Sequence, residues 1–155
     1  MSFQIHGLDP EPFAPLFQMS DEDLRRRNAR RETVASKPGT PCRVSLADAE
    51  VGETVILVNY EHQPADSPYR ASHAIFVREG VDQVRLAPDE VPEVLRSRLI
   101  SLRAFDTDHM MIAADVLDGQ GLATALHTVF ADEQVAYVHL HNAKPGCFAA
   151  AVTRI

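Results

Sequence analysis

The pattern of apolar and polar residues divides most of the chain into short strands with a few helices between them. ETVILVNYEH (53–62) and SHAIFVREG (72–80) are rich in β-branched and aromatic residues, and DQVRLA (82–87) alternates, so all three predict strands. LISLRAF (99–105) and MMIAADV (110–116) predict two more, joined by the polar turn DTDH. VAYVHLH (135–141) and CFAAAVTRI (147–155) flank NAKPG, where Pro145 and Gly146 suit the central positions of a type II turn.

Helical spacing replaces alternation in three places. In GLATALHTVFADEQ (121–134), Leu122, Leu126, Val129 and Phe130 form one apolar stripe, with His127 off it. DEVPEVLRSR (89–98) predicts a helix capped by Asp89 that tolerates Pro92 in its first turn. MSDEDLRRRNARRE (19–32) predicts a solvated helix capped by Ser20, with Asp21/Arg25, Glu22/Arg26 and Asp23/Arg27 at i,i+4 spacing. Hairpin-length connections dominate. The expected class is α+β: a mainly antiparallel sheet of about six to seven strands with three or so short helices. No repeat or linker divides residues 1–155, so a single domain is expected.

Composition narrows the function. The 155 residues carry a formal net charge of -7, which argues against a nucleic-acid partner, because displacing counterions from phosphates takes a basic face. No apolar run is long enough to span a membrane and the N-terminus lacks a signal pattern, so no membrane partner and a cytoplasmic location are expected. Cys42 and Cys147 lie far apart without CxxC spacing and read as reduced thiols.

Two polar constellations interrupt the apolar pattern. Strand alternation puts His139 and His141 on one face of VAYVHLH, and a hairpin closed by NAKPG would bring His141 near Cys147, with Asn142 and Lys144 on the loop. Between two predicted strands, His62 and His73 bracket a loop carrying Tyr69 and Arg70. Taken singly, each histidine suits a hydrogen-bonded strand end.

PCRVSLADAEVGETVILVNYEHQPADSPYRASHAIFVREG, RLISLRAFDTDHMMIAADVLDG and VAYVHLHNAKPGCFAA resemble the DUF1203 family of small bacterial proteins, over nearly the whole chain. That resemblance implies no activity, cofactor or catalytic residue.

The residues themselves favour a cleft for a small anionic metabolite, with Arg70, Tyr69, Asn142 and Lys144 binding and His62, His73, His139, His141 and Cys147 as candidates for proton transfer or nucleophilic attack. The loop at 63–71 and the turn at 142–146 are expected to line that cleft together. A metal centre on His139, His141 and His62 is a second possibility that no recognised spacing supports, so no metal or cofactor is favoured. A non-catalytic interaction or scaffold domain is a third.

Overall fold

The computed structural model describes all 155 residues as an α+β fold with ten strands in two five-stranded sheets. The first sheet runs in the order β1 (Phe3–His6), β10 (Phe148–Arg154), β9 (Tyr137–Asn142), β7 (Leu99–Phe105) and β8 (Met111–Asp118), antiparallel throughout. The second runs β2 (Ala29–Thr33), β5 (Thr54–Gln63), β6 (Ala71–Arg78), β3 (Pro41–Cys42) and β4 (Ala47–Asp48), with β3 parallel to β6.

Each sheet has its own core. Helix α3 (Leu122–Phe130) lays Leu122, Leu126 and Phe130 on the face of the first sheet formed by Ile100, Leu102, Val138, Leu140 and Val152. The predicted stripe supplies these contacts, with Val129 only partly buried at its margin. On the second sheet, Ile56, Val58, Ile75 and Val77 pack against Phe13 and Leu16 of a 3-10 helix (Glu11–Gln18) and Leu24 of α1 (Asp21–Arg26). Burying each such aliphatic side chain contributes about 1.5–3 kcal/mol.

Several local expectations fail for identifiable reasons. Ser20 does cap α1, accepting from the Asp23 N–H, and Arg26 pairs with Glu22 at 2.8 Å. The helix stops at Arg26, however, because Asn28 takes a left-handed conformation (φ 53°) and the arginine-rich remainder pairs with β5 as β2. The segment 82–87 alternates but finds no ladder. It lies beside β1, held by Gln4 donating to Leu86 O and Gln83 donating to Gly7 O. Helix α2 is only Glu93–Arg96, with Pro92 at its cap. Asp89, the expected cap, is left-handed instead (φ 61°) and accepts from Phe3 N–H and Ser2 Oγ–H. Strand count rises from the expected six or seven to ten because β1, β2, β3 and β4 are short or highly polar.

One glycine fixes the approach of α2 to the first sheet. A Cβ on Gly119 would lie 1.9 Å from Leu95 O and 2.8 Å from Arg98 O, both backbone atoms. Gly119→Ala is therefore expected to destabilise the protein by about 1–3 kcal/mol or more through overpacking. Chemical denaturation would show it, and a midpoint equal to that of the parent would contradict this account.

Candidate functional site

Strand β9 separates apolar from polar chemistry by simple alternation. Val138 and Leu140 enter the core, while Tyr137, His139 and His141 share the opposite face with Phe105, Arg103 and Ser101 of β7, their register partners. That second face is covered by the C-terminal end of β5. A register shift between Tyr60 and Gln63 lies at this end, beside His62.

The result is a cluster of three imidazoles. The His62 ring lies 4.9 Å from His141 and 6.2 Å from His139, and stacks at 11° on Phe148, whose edges also meet both other rings. His141 Nδ1 donates to Gly146 O at 2.9 Å. Nδ1 of His62 and Nδ1 of His139 are buried without a partner. Burial, reinforced by neighbouring positive charge, pushes the pKa of His139 down to about 4 and that of His141 down to about 3; burial and Arg103 also lower His62. The cluster is neutral at pH 7. Arg103 is half-buried beside it, donating to Ser101 Oγ and pairing with no carboxylate.

The fourth histidine, His73, stands opposite Tyr60 on β6, and its Nδ1 donates to Ala74 O. It is outside the ring cluster. The three residues of the metal alternative do converge, but no three His, Cys, Asp or Glu side chains are arranged to hold a metal ion.

The two polar loops do not share a cleft. Gln63 donates to the Tyr137 hydroxyl, Ser67 donates to His109 O, and Tyr69 meets the edge of Phe105, all at the N-terminal end of β9. Asn142 and Lys144 lie at its C-terminal end. Arg70 is exposed and turns back to Glu61 at 3.2 Å. Nor do His141 and Cys147 form a pair across the hairpin. The register sets His141 opposite Phe148, and a bulge follows between Phe148 and Ala150. Gly146 is left-handed at φ 81°, as the predicted turn requires, but the connection is closed by its N–H donating to Asn142 O at 2.8 Å and so spans Asn142 to Gly146.

The Asn142–Cys147 end instead walls a cleft of about 520 Å³ between the two sheets, lined among others by Arg43, His73, Arg98, Asn142, Lys144 and Cys147. Arg43 is the residue that sequence reading passed over. It is only 2% exposed, and its guanidinium donates to Phe148 O at 2.7 Å, to Pro41 O and to Cys147 Sγ at 2.9 Å. No carboxylate pairs with it. Burial pulls its pKa down and the adjacent Cys147 sulfur pulls it up. Asn142, 5% exposed, donates to the same sulfur at 3.6 Å and leaves its Oδ1 without a partner. Arg98 is neutralised by Asp48 at 2.7 Å, whereas Lys144 is exposed on the turn with no acidic partner. The only sequence signal for Arg43 was its place next to Cys42 in an otherwise apolar stretch.

An α+β protein with a cationic cleft between its sheets is thus the class that fold and site define. The family model described as "Protein of unknown function (DUF1203)" matches residues 39–154, and the chain belongs to that family. The match takes in the histidine cluster and the cleft and leaves out β1, α1 and β2. No curated protein and no solved structure matches the chain.

The histidine cluster has a consequence for stability. Unfolded, His139 and His141 titrate near 6.5; folded, at about 4 and about 3. Above pH 6.5 both states are neutral and the full stability is present. As pH falls below 6.5 the unfolded chain binds protons first, so stability is lost progressively down to the folded values, by several kcal/mol at roughly 1.4 kcal/mol per pKa unit. The decline between pH 6.5 and 5, measured by thermal melting, should flatten in the His139→Gln/His141→Gln double variant. Parallel profiles for the two proteins would exclude the histidines as its source.

Proposed function

We propose that the protein binds a small anionic metabolite in the cleft between the sheets, with Arg43 at its floor and Lys144 at its rim. The observation that carries the reading is the buried Arg43 guanidinium without a carboxylate. Removing such a cation from water costs several kcal/mol, and its present partners are two carbonyl oxygens and a thiol. A guanidinium has five N–H donors, of which three are engaged, so two remain for an acceptor entering from the cleft. A carboxylate or phosphate is the acceptor this fork suits best. The unpaired Asn142 side chain adds a second polar group, and the volume accommodates a metabolite rather than a polymer.

This reading transfers the anion site from Arg70, which Glu61 already neutralises, to Arg43. It keeps Asn142 and Lys144 as binding residues. His73 is the one histidine of the four that lines the cleft, while His62, His139 and His141 form a neutral cluster on the other side of the β9–β10 hairpin. Cys147 serves as a polar partner of Arg43 at the cleft wall.

A thermal-shift series with small mono- and dicarboxylates and phosphate monoesters tests the proposal. A ligand at a hundredfold excess over its dissociation constant stabilises the folded state by roughly 2.7 kcal/mol. Lys144→Ala, which removes an exposed charge, is expected to leave the unliganded melting temperature unchanged and weaken the response. Arg43→Gln is expected to abolish the response and also to destabilise the unliganded protein. Stabilisation by an anion that Lys144→Ala and Arg43→Gln leave undiminished would place the site elsewhere.

A further inference from the structure

Two open sheets present four edges, and three of them are guarded against pairing with another chain. β1 is four residues long and is flanked by segment 81–87. β2 carries Arg30, Arg31 and Glu32, and β4 is only two residues long. Short, charged or covered edges are the usual protection against strand addition. β8 has little of it: its eight residues, MIAADVLD, include no lysine, arginine or proline, and Val116 is 57% and Ile112 39% exposed.

The register with β7 determines which backbone groups face outward. Gly119 N–H donates inward to Arg98 O, whereas Val116 N–H turns away from β7 and is met only by the carboxylate of Asp115 beside it. Alternation makes the outward amides those of Val116 and Ala114. The ladder is regular from Ala113 to Asp118, with a bulge at Ile112.

We propose that β8 pairs antiparallel with β8 of a second copy of this chain about a two-fold axis at Ala114, joining the two first sheets into one continuous sheet. The register is set by the outward amide of Ala114, which makes a symmetric hydrogen-bonded pair with its own copy. The sequence around it is self-complementary. Ala114 faces Ala114, Ala113 faces Asp115, and Ile112 comes beside Val116, so no carboxylate opposes a carboxylate and the apolar residues meet one another. The two small residues at the axis let the backbones approach. This match of the strand with its own reverse favours a second copy over an unrelated peptide. The Asp115 side chain gives up the Val116 N–H to the incoming carbonyl.

Sedimentation equilibrium of the full chain over a wide concentration range, at physiological salt, is the test. The expected result is a monomer–dimer equilibrium in the parent protein and a monomer in Val116→Lys, whose exposed site accepts the charge without loss of circular dichroism signal. In Ala114→Cys, a short thiol-to-thiol cross-linker should give a covalent dimer, because the residues of a hydrogen-bonded antiparallel pair have Cα atoms about 5.5 Å apart. Monomer at every concentration overturns the proposal. So does a dimer that Val116→Lys leaves intact, or one that Ala114→Cys fails to cross-link.

Discussion

The buried guanidinium of Arg43 is the interaction on which the arrangement of the two sheets depends. It leaves the chain just after β3 of the second sheet and reaches Phe148 O and Cys147 Sγ at the start of β10 in the first, more than a hundred residues away in sequence. Backbone bonds flank it on its own segment, with Leu8 N–H donating to Arg43 O and Arg43 N–H donating to Phe76 O. A cation in that position must be hydrogen-bonded or it would be expelled, so the β9–β10 turn is held where its carbonyl and sulfur can reach it. The cleft is the space left where the sheets meet around this contact.

The β9–β10 hairpin consequently has two different sides. Phe148 and the three imidazoles close one of them with aromatic packing, and their lowered pKa values follow from that burial. Cys147 and Asn142 turn to the other, where Arg43 and the cleft lie. A one-residue change of register would exchange the two sets, placing a histidine against Arg43 and the thiol among the rings. The bulge after Phe148 and the left-handed Gly146 hold the turn in the observed register.

Polar groups at this hairpin differ in how fully they are satisfied. His141 has its Gly146 carbonyl and Arg98 has Asp48, and both read as framework. His62 Nδ1, His139 Nδ1 and Asn142 Oδ1 are buried without partners, a costly state that concentrates within one small region of the molecule. Asn142 lines the cleft with Arg43, whereas the imidazoles of His62, His139 and His141 are closed off by aromatic packing and act on stability.

Sequence alone determined the α+β class, the Ser20 cap, the Leu122–Phe130 stripe, the Pro145–Gly146 turn and the shared face of His139 and His141, because each rests on local periodicity or on backbone preference. It also carried the family strings. It missed β1 to β4, whose two to five residues are too few to establish a hydrophobic period, although Phe3 and Ile5 of β1 do alternate into the core, and which form because a neighbouring strand supplies their hydrogen bonds. It placed Arg70 with Lys144 because both sit on polar loops beside strands. Only the tertiary structure shows that these loops stand at opposite ends of β9, that Glu61 has already neutralised Arg70, and that His141 faces Phe148 across a bulged register. The role of Arg43 was decided the same way: an arginine's environment is set by which distant carbonyls and sulfurs are packed around it, and nothing in residues 41–46 specifies that Cys147 and Phe148 will be there.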